Sequence, residues 1–266
     1  MPVYHWVFES LAYLAGFRLY LWLRARSGDV IGAGERGWVI AASLGGAAIG
    51  SKLLYWLEDP ALTLANWRDP AYLMAGKTIV GALLGGLIAV EWAKRRLGIA
   101  RRTGDLFALP LVLATAIGRV GCFLSGLDDH THGVATALPW GVDFGDGVRR
   151  HPAQLYEIVW LALLALWIGR LARRQPREGD LFKAFMTGYL AFRLAIDFLK
   201  PGVALGGLTA IQWACAAALV YYGRDIPWLL TASVRTCSTM SLSPSVPPAT
   251  EKSKAKSFSK TTGSSC

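Results

Sequence analysis

Seven apolar blocks, each near the length that crosses a bilayer, constrain this chain more than any other feature of it. A helix spanning the hydrocarbon core needs about 20 mostly apolar residues. Segments at about 4–23, 37–57, 73–93, 105–125, 154–171, 181–199 and 208–223 meet that need. No water is available in the core to satisfy a free backbone, so such segments are helical. The expected fold class is an all-α polytopic membrane protein with seven transmembrane helices. Glycine recurs at packing intervals, in Gly45, Gly46 and Gly50 and again in Gly81, Gly85 and Gly86. Small residues spaced four apart let helices approach closely, so both sets predict packing faces.

The loops between these blocks alternate in charge. Loop one carries Arg24, Arg26 and Arg36; loop three carries Lys94, Arg95, Arg96, Arg101 and Arg102; loop five carries Arg170, Arg173, Arg174 and Arg177. Loop two has Arg68 among Glu58, Asp59 and Asp69, and loop six has only Lys200. Loop four, from Gly126 to Ala153, sets Asp128, Asp129, Asp143 and Asp146 against Arg149 and Arg150. The positive-inside rule then predicts the N-terminus outside, the C-terminus in the cytoplasm and loop four outside. The chain's net charge of +10 is spread over short loops, not over a soluble face with interleaved aromatics, which argues against a nucleic-acid partner. No basic segment precedes the first block and Arg18 interrupts it, so it is expected to stay as an uncleaved anchor. Residues 1–230 are read as the seven-helix membrane domain. The Ser-, Thr-, Lys- and Pro-rich residues 231–266 are read as a disordered cytoplasmic tail.

Ionisable residues inside spans are costly and mark candidate function. This chain places Glu9, Arg18, Lys52, Lys77, Arg119, Arg193 and Asp197 in or at the ends of its apolar blocks. Arg18 and Lys52 are long enough to snorkel to an interface. Arg119 lies between Gly118 and Gly121, which are expected to clear space around its guanidinium for a ligand. Arg193 and Asp197 are four apart and share a helix face, as an internal ion pair or as part of a site. Two arginines near the outer leaflet complement a phospholipid phosphate, because guanidinium binds phosphate through paired hydrogen bonds and stays charged when buried. His151 leads into the fifth block, either as a proton carrier or as a structural residue at a helix start. The run Asp128-Asp129-His130-Thr131-His132 has metal-ligand types, but in an exposed loop it reads as a solvated segment. Cys122, Cys215, Cys237 and Cys266 show neither metal-ligand spacing nor a disulfide framework, and Cys122 reads as a packing residue.

Three segments in order carry a resemblance: Gly118-Arg119-Val120-Gly121-x-Phe123, Leu138-Pro139-Trp140-Gly141-Val142-x-Phe144, and Arg150-His151-Pro152-x-Gln154-Leu155-Tyr156-Glu157. Tyr13 to Phe17 and Gly188 to Arg193 add to it. Over about residues 4–223 the chain resembles the prolipoprotein diacylglyceryl transferase family. The resemblance implies seven helices and transfer of a diacylglyceryl group from phosphatidylglycerol to the lipobox cysteine of a prolipoprotein. It places that activity at the outer face of a bacterial inner membrane. It implies catalytic roles for Arg119, Arg193, His151 and Glu157. It implies substrate contacts for Gly118, Gly121, Gln154, Tyr156, Asp128 and Asp197. The implied partners are phosphatidylglycerol, prolipoprotein signal peptides and membrane lipids, and no metal or organic cofactor is implied.

The chain also departs from the family pattern. Cys122, Ser125 and Leu127 replace an Asn, Asn, Glu pattern after the glycine-arginine motif. Glu9-Ser10 replaces a Tyr-Gly pair, and Val80 stands where a histidine suited to thiol deprotonation is expected. Valine cannot move a proton, so His151, Glu9 and Asp128 are the substitutes in view. The alternatives are a paralogue with a different acceptor and a non-catalytic lipid-binding or lipid-translocating protein.

Overall fold

The computed structural model describes residues 3–174, 176–202, 204–224 and 227. The expected tail, 231–266, lies outside the described residues, as do Cys237 and Cys266. The chain is mostly helical: α1 (Val3–Ser27), α2 (Ala33–Glu58), α3 (Pro60–Ala65), α4 (Pro70–Met74), α5 (Ile79–Arg96), α6 (Asp105–Ser125), α7 (Ala153–Ala172), α8 (Asp180–Ile196) and α9 (Ala210–Tyr222). Each of the seven apolar blocks coincides with one long helix. Three helical stretches, Ala33–Glu58, Asp105–Asp129 and Ala153–Ala172, are long and apolar enough to cross a membrane.

The third block starts later than its hydropathy suggests. Residues 73–78 end α4 and break before α5, with Gly76 at a positive φ of 57°. Lys52 explains the break: its ammonium donates to the carbonyls of Met74, Ala75 and Gly76, which a continuous helix would have used internally. The Thr78 hydroxyl then accepts from the Gly81 amide at 3.2 Å and starts α5. Lys52 therefore neutralises backbone dipoles instead of snorkelling to a surface. The short helices α3 and α4 each begin with proline, capped by Asp59 and Asp69, whose carboxylates accept backbone amides at 2.9 Å.

The contacts Gly46–Gly85 and Gly50–Gly81 run α2 antiparallel to α5, and Gly16–Ala114 and Gly121–Phe8 run α1 antiparallel to α6. Close packing joins α2 to α5 through the predicted glycines. A Cβ on Gly46 or Gly50 would overlap the backbone of Gly85 or Gly81, and the reverse holds for the partners. Gly45 has open space beside it, so it is not part of that face. The core lies among α6, α7, α8 and α9, where Ala108, Leu161, Ile168, Phe185, Leu190 and Cys215 are fully buried. The fourth loop carries a small hairpin, β1 (Val142–Asp143) paired antiparallel with β2 (Arg149–Arg150). The Asp143 carboxylate accepts the amides of Gly145, Asp146 and Gly147 and shapes its turn.

Candidate active site

The site forms where α6, α7 and α8 bring one charged residue each to the same depth. Arg119 comes from the last two turns of α6, Glu157 from the first turns of α7 and Arg193 from the last turn of α8. Arg119 Nε lies 2.9 Å from Glu157 Oε2, and Arg193 Nη1 lies 3.6 Å from the same oxygen. The Tyr189 hydroxyl donates to Glu157 Oε1 at 2.6 Å. Arg193 Nη2 also pairs with Asp197 Oδ1 at 3.2 Å, and Thr209 Oγ1 donates to Asp197 Oδ2 at 2.5 Å. Thr209 is the N-cap of α9, in a capping box with Gln212, so the start of α9 is tied to the same network.

All four charged groups are buried. Two guanidiniums share one carboxylate directly, and Asp197 supplies a second. Arg119 Nε and Arg193 Nη1 meet Glu157 as ion pairs without an aligned hydrogen bond, and Arg193 Nε lacks an acceptor among the described residues. Unused donors on a buried cation are costly, and an anionic ligand with several oxygens satisfies them. The cations face a cavity of about 2350 Å³, lined also by Gly118, Cys122, Asp128, Asp129, Asp197 and Lys200. This cavity continues between apolar side chains of α2 and α5, including Ile40, Leu44, Leu83 and Leu87. Beyond that apolar middle it reaches a second charged end at Glu91, Arg95, Arg102 and Lys183.

The sequence-derived site residues divide into groups. Gly118, Arg119, Asp128, Arg193 and Asp197 line the cavity. Glu157 braces the two arginines from within the helix packing. Gln154 is buried and donates to Thr131 at 3.1 Å, tying loop four to α7. His151 and Tyr156 pair with each other at 3.2 Å, and Trp140 donates to the same Tyr156 hydroxyl at 2.9 Å. Neither His151 nor Tyr156 lines the cavity that holds Arg119. The His151 backbone is held by Gly133 and Val134, which fixes the loop on α8 through Leu199. Space around Arg119 is also distributed differently from expectation. Gly118 faces open space, whereas a Cβ on Gly121 would sit 2.6 Å from Phe8 Cβ, so Gly121 allows α1 to pack on α6.

Four participants carried no clear sequence signal. Asp129 lines the cavity beside Asp128 and makes the contacts there: Oδ1 lies 2.9 Å from His5 Nδ1 and Oδ2 accepts from Thr131 at 2.5 Å. His5 is four residues before Glu9 on α1, and their spacing was the one available hint. Lys200 follows α8 and lines the cavity; desolvation of its amine, with Arg193 and Arg119 nearby, pushes its pKa down to about 7. Thr209 is visible only through its contact with Asp197. Glu9 reaches the site's edge, accepting from Tyr13 at 2.8 Å and pairing with Lys77. Val80 is buried in the apolar core, so position 80 offers the site no proton carrier.

Known proteins resemble this chain over most of its length. The family model described as prolipoprotein diacylglyceryl transferase matches residues 7–223. A phosphatidylglycerol–prolipoprotein diacylglyceryl transferase of Bordetella parapertussis is 34% identical over 79% of this chain and 84% of its own length. Proteins of that name from Vibrio vulnificus and Paracidovorax citrulli are 32% and 29% identical, over 74% and 81% of this chain and 76% and 87% of their own lengths. On the strength of a match that spans every long helix and the whole charged cluster, the chain belongs to the prolipoprotein diacylglyceryl transferase family.

Proposed function

We propose that this chain transfers the diacylglyceryl group of phosphatidylglycerol to the lipobox cysteine thiol of prolipoproteins at the outer face of a bacterial inner membrane. The observation that carries the reading is the pair of buried arginines, braced on one glutamate, that line a lipid-sized cavity. Arg119 and Arg193 hold the lipid phosphate. The acceptor sulfur attacks the glyceryl carbon next to it, that carbon–oxygen bond breaks, and glycerol phosphate leaves with the electron pair. The two guanidiniums stabilise charge gathering on the leaving oxygen. Glu157 and Tyr189 position the arginines, while Asp197 holds Arg193. Gln154, Tyr156 and His151 organise the loop over the cavity mouth.

In this reading all seven long helices cross the membrane, with the N-terminus outside and the C-terminus in the cytoplasm. Charge alternation between the loops supports that orientation. The outward apolar side chains of α1, among them Trp6, Leu11, Leu14, Phe17 and Trp22, support lipid contact along its length. Partners are phosphatidylglycerol, the signal peptides of prolipoproteins and surrounding lipid.

Membranes containing the protein, given labelled phosphatidylglycerol and a lipobox peptide, should label the peptide cysteine. Absence of label there, with the protein folded and inserted, overturns the reading. Complementation of a strain lacking its own transferase tests it in cells. A second reading, a family member using another acceptor, is favoured by Val80 in its dry position. It predicts that labelled lipid is consumed while the lipobox peptide stays unlabelled.

A further inference from the structure

Beside Arg119, three side chains of different chemistry converge on one point. His5 comes from the first turn of α1, Cys122 from the last turn of α6 and Asp129 from the 3-10 turn that follows α6. One ligand-type atom from each lies within 4.8 Å of the other two. Cys122 is buried, and the side chains of His5 and Asp129 are 15% and 7% exposed. All three line the large cavity. We propose that His5 Nδ1, Cys122 Sγ and an Asp129 carboxylate oxygen form a binding site for a divalent cation of the zinc type, with its fourth position open to the cavity.

The donor set points to that ion. Imidazole, thiolate and carboxylate together suit zinc, and three protein ligands with one open position are the pattern of a reactive rather than structural site. A tetrahedral zinc site holds its donors roughly 3.3–3.8 Å apart, so the 2.9 Å contact between His5 and Asp129 opens slightly to admit the ion, with no separation in the cluster beyond 4.8 Å. The remaining contacts are those a metal site needs. His5 Nε2 lies 3.5 Å from Glu9 Oε2 and has no other partner among the described residues, which leaves Nδ1 for the metal and Nε2–H for a carboxylate. Glu9 is itself held by Tyr13 and Lys77. Thr131 orients the second Asp129 oxygen. Arg119 lies 3.7 Å from Cys122 Sγ, and Glu157 balances its charge. Binding releases the Cys122 proton to solvent: a divalent ion and a thiol become a metal thiolate and a proton. Asp129 and the thiolate then neutralise the ion.

The site itself does not depend on the transferase reading. Its use does: if that reading holds, the open position takes the acceptor thiol as a thiolate, the activation that Val80 cannot provide.

The test uses the full-length protein in detergent, stripped of metal and titrated with zinc or cobalt(II) alone. About one ion should bind per chain, and cobalt should give thiolate charge-transfer absorption with the intense visible bands of tetrahedral coordination. Cys122→Ser should abolish the charge-transfer band. His5→Ala and Asp129→Ala should each weaken binding at least tenfold, and Glu9→Gln by about tenfold. His132→Ala, outside the cluster, should leave binding unchanged. Cys122→Ala, with matched thermal unfolding, controls for folding. Failure to bind one ion, or an unaltered cobalt spectrum in Cys122→Ser, overturns the site. Metal binding without lipid transfer keeps the site and removes the transferase reading; lipid transfer by metal-free protein keeps that reading and overturns the metal's use in thiol activation.

Discussion

The two ends of the helix array each bury arginine, and they do so by opposite arrangements. At the end with the loop-one turn, Arg36 is only 1% exposed, although its position suggested a solvated loop charge. Both oxygens of Asp29 accept from it, the Thr103 carbonyl accepts at 3.1 Å, and its guanidinium lies over the Phe107 ring. Arg24 adds a second cation to Asp29 at 3.1 Å. Nearby, Asp105 of α6 accepts the amides of Gly179 and Phe182 and so caps α8. At the other end Arg119 and Arg193 share Glu157, and Arg193 Nε is left without an acceptor among the described residues. A buried charge whose hydrogen bonds are completed holds helices together. One left incomplete holds a place for a ligand and lowers stability until that ligand arrives.

The largest expected effect separates the ends by activity. Arg119→Ala and Arg193→Ala should each reduce peptide lipidation by roughly a hundredfold or more, as loss of a charge-stabilising donor does elsewhere. Near-normal labelling in either variant breaks the functional side of the comparison. At the opposite end the loss should be one of stability. Arg36→Ala leaves Asp29 facing only Arg24, and should cost about 3–5 kcal/mol by thermal or denaturant unfolding in detergent, with transfer falling only as folded protein falls. A specific loss of turnover at full stability would show that the two clusters are coupled.

Tyr189→Phe sharpens the picture at smaller scale. Removing the hydroxyl that braces Glu157 should lower turnover by about tenfold, the value of one hydrogen bond to a charged group. pH gives the smallest effect. Desolvation raises the Asp29 carboxyl, but Arg36 and Arg24 outweigh it and hold it below its ordinary 3.8. A depressed carboxylate contributes stability above its unfolded value and loses it as pH falls through the folded one, so the Arg36 end should be insensitive above about pH 5. Lys200 behaves differently. Its amine, brought down to about 7 from 10.5, is neutral in mildly alkaline solution and gains charge below neutrality. Affinity for phosphatidylglycerol vesicles should therefore rise a few-fold as pH drops from about 8.5 to about 6, and Lys200→Met should flatten that profile. Between about 7 and 10.5 the unfolded chain holds the extra proton, so stability should rise with pH across that window.

Much of this molecule was legible before folding. Apolar blocks announce helices because each needs only its own residues to satisfy its backbone, a local property that survives in one dimension. The glycines of α2 and α5 announced their contact for a similar reason, since small residues at a helical interval have few other uses. Arg119 and Arg193 stood out because charge inside an apolar block is expensive wherever the block ends up, whereas Glu157 came only through the family resemblance. Tertiary structure decided the rest. That Asp129 meets His5, that Lys52 serves the carbonyls before α5, and that Arg36 is buried all depend on which helix lies opposite. The meeting of His5, Cys122 and Asp129 is the clearest case, because α1 and the end of α6 are more than a hundred residues apart. Spacing along a chain encodes a shared helix face, but contact between distant helices comes only from how the whole array packs.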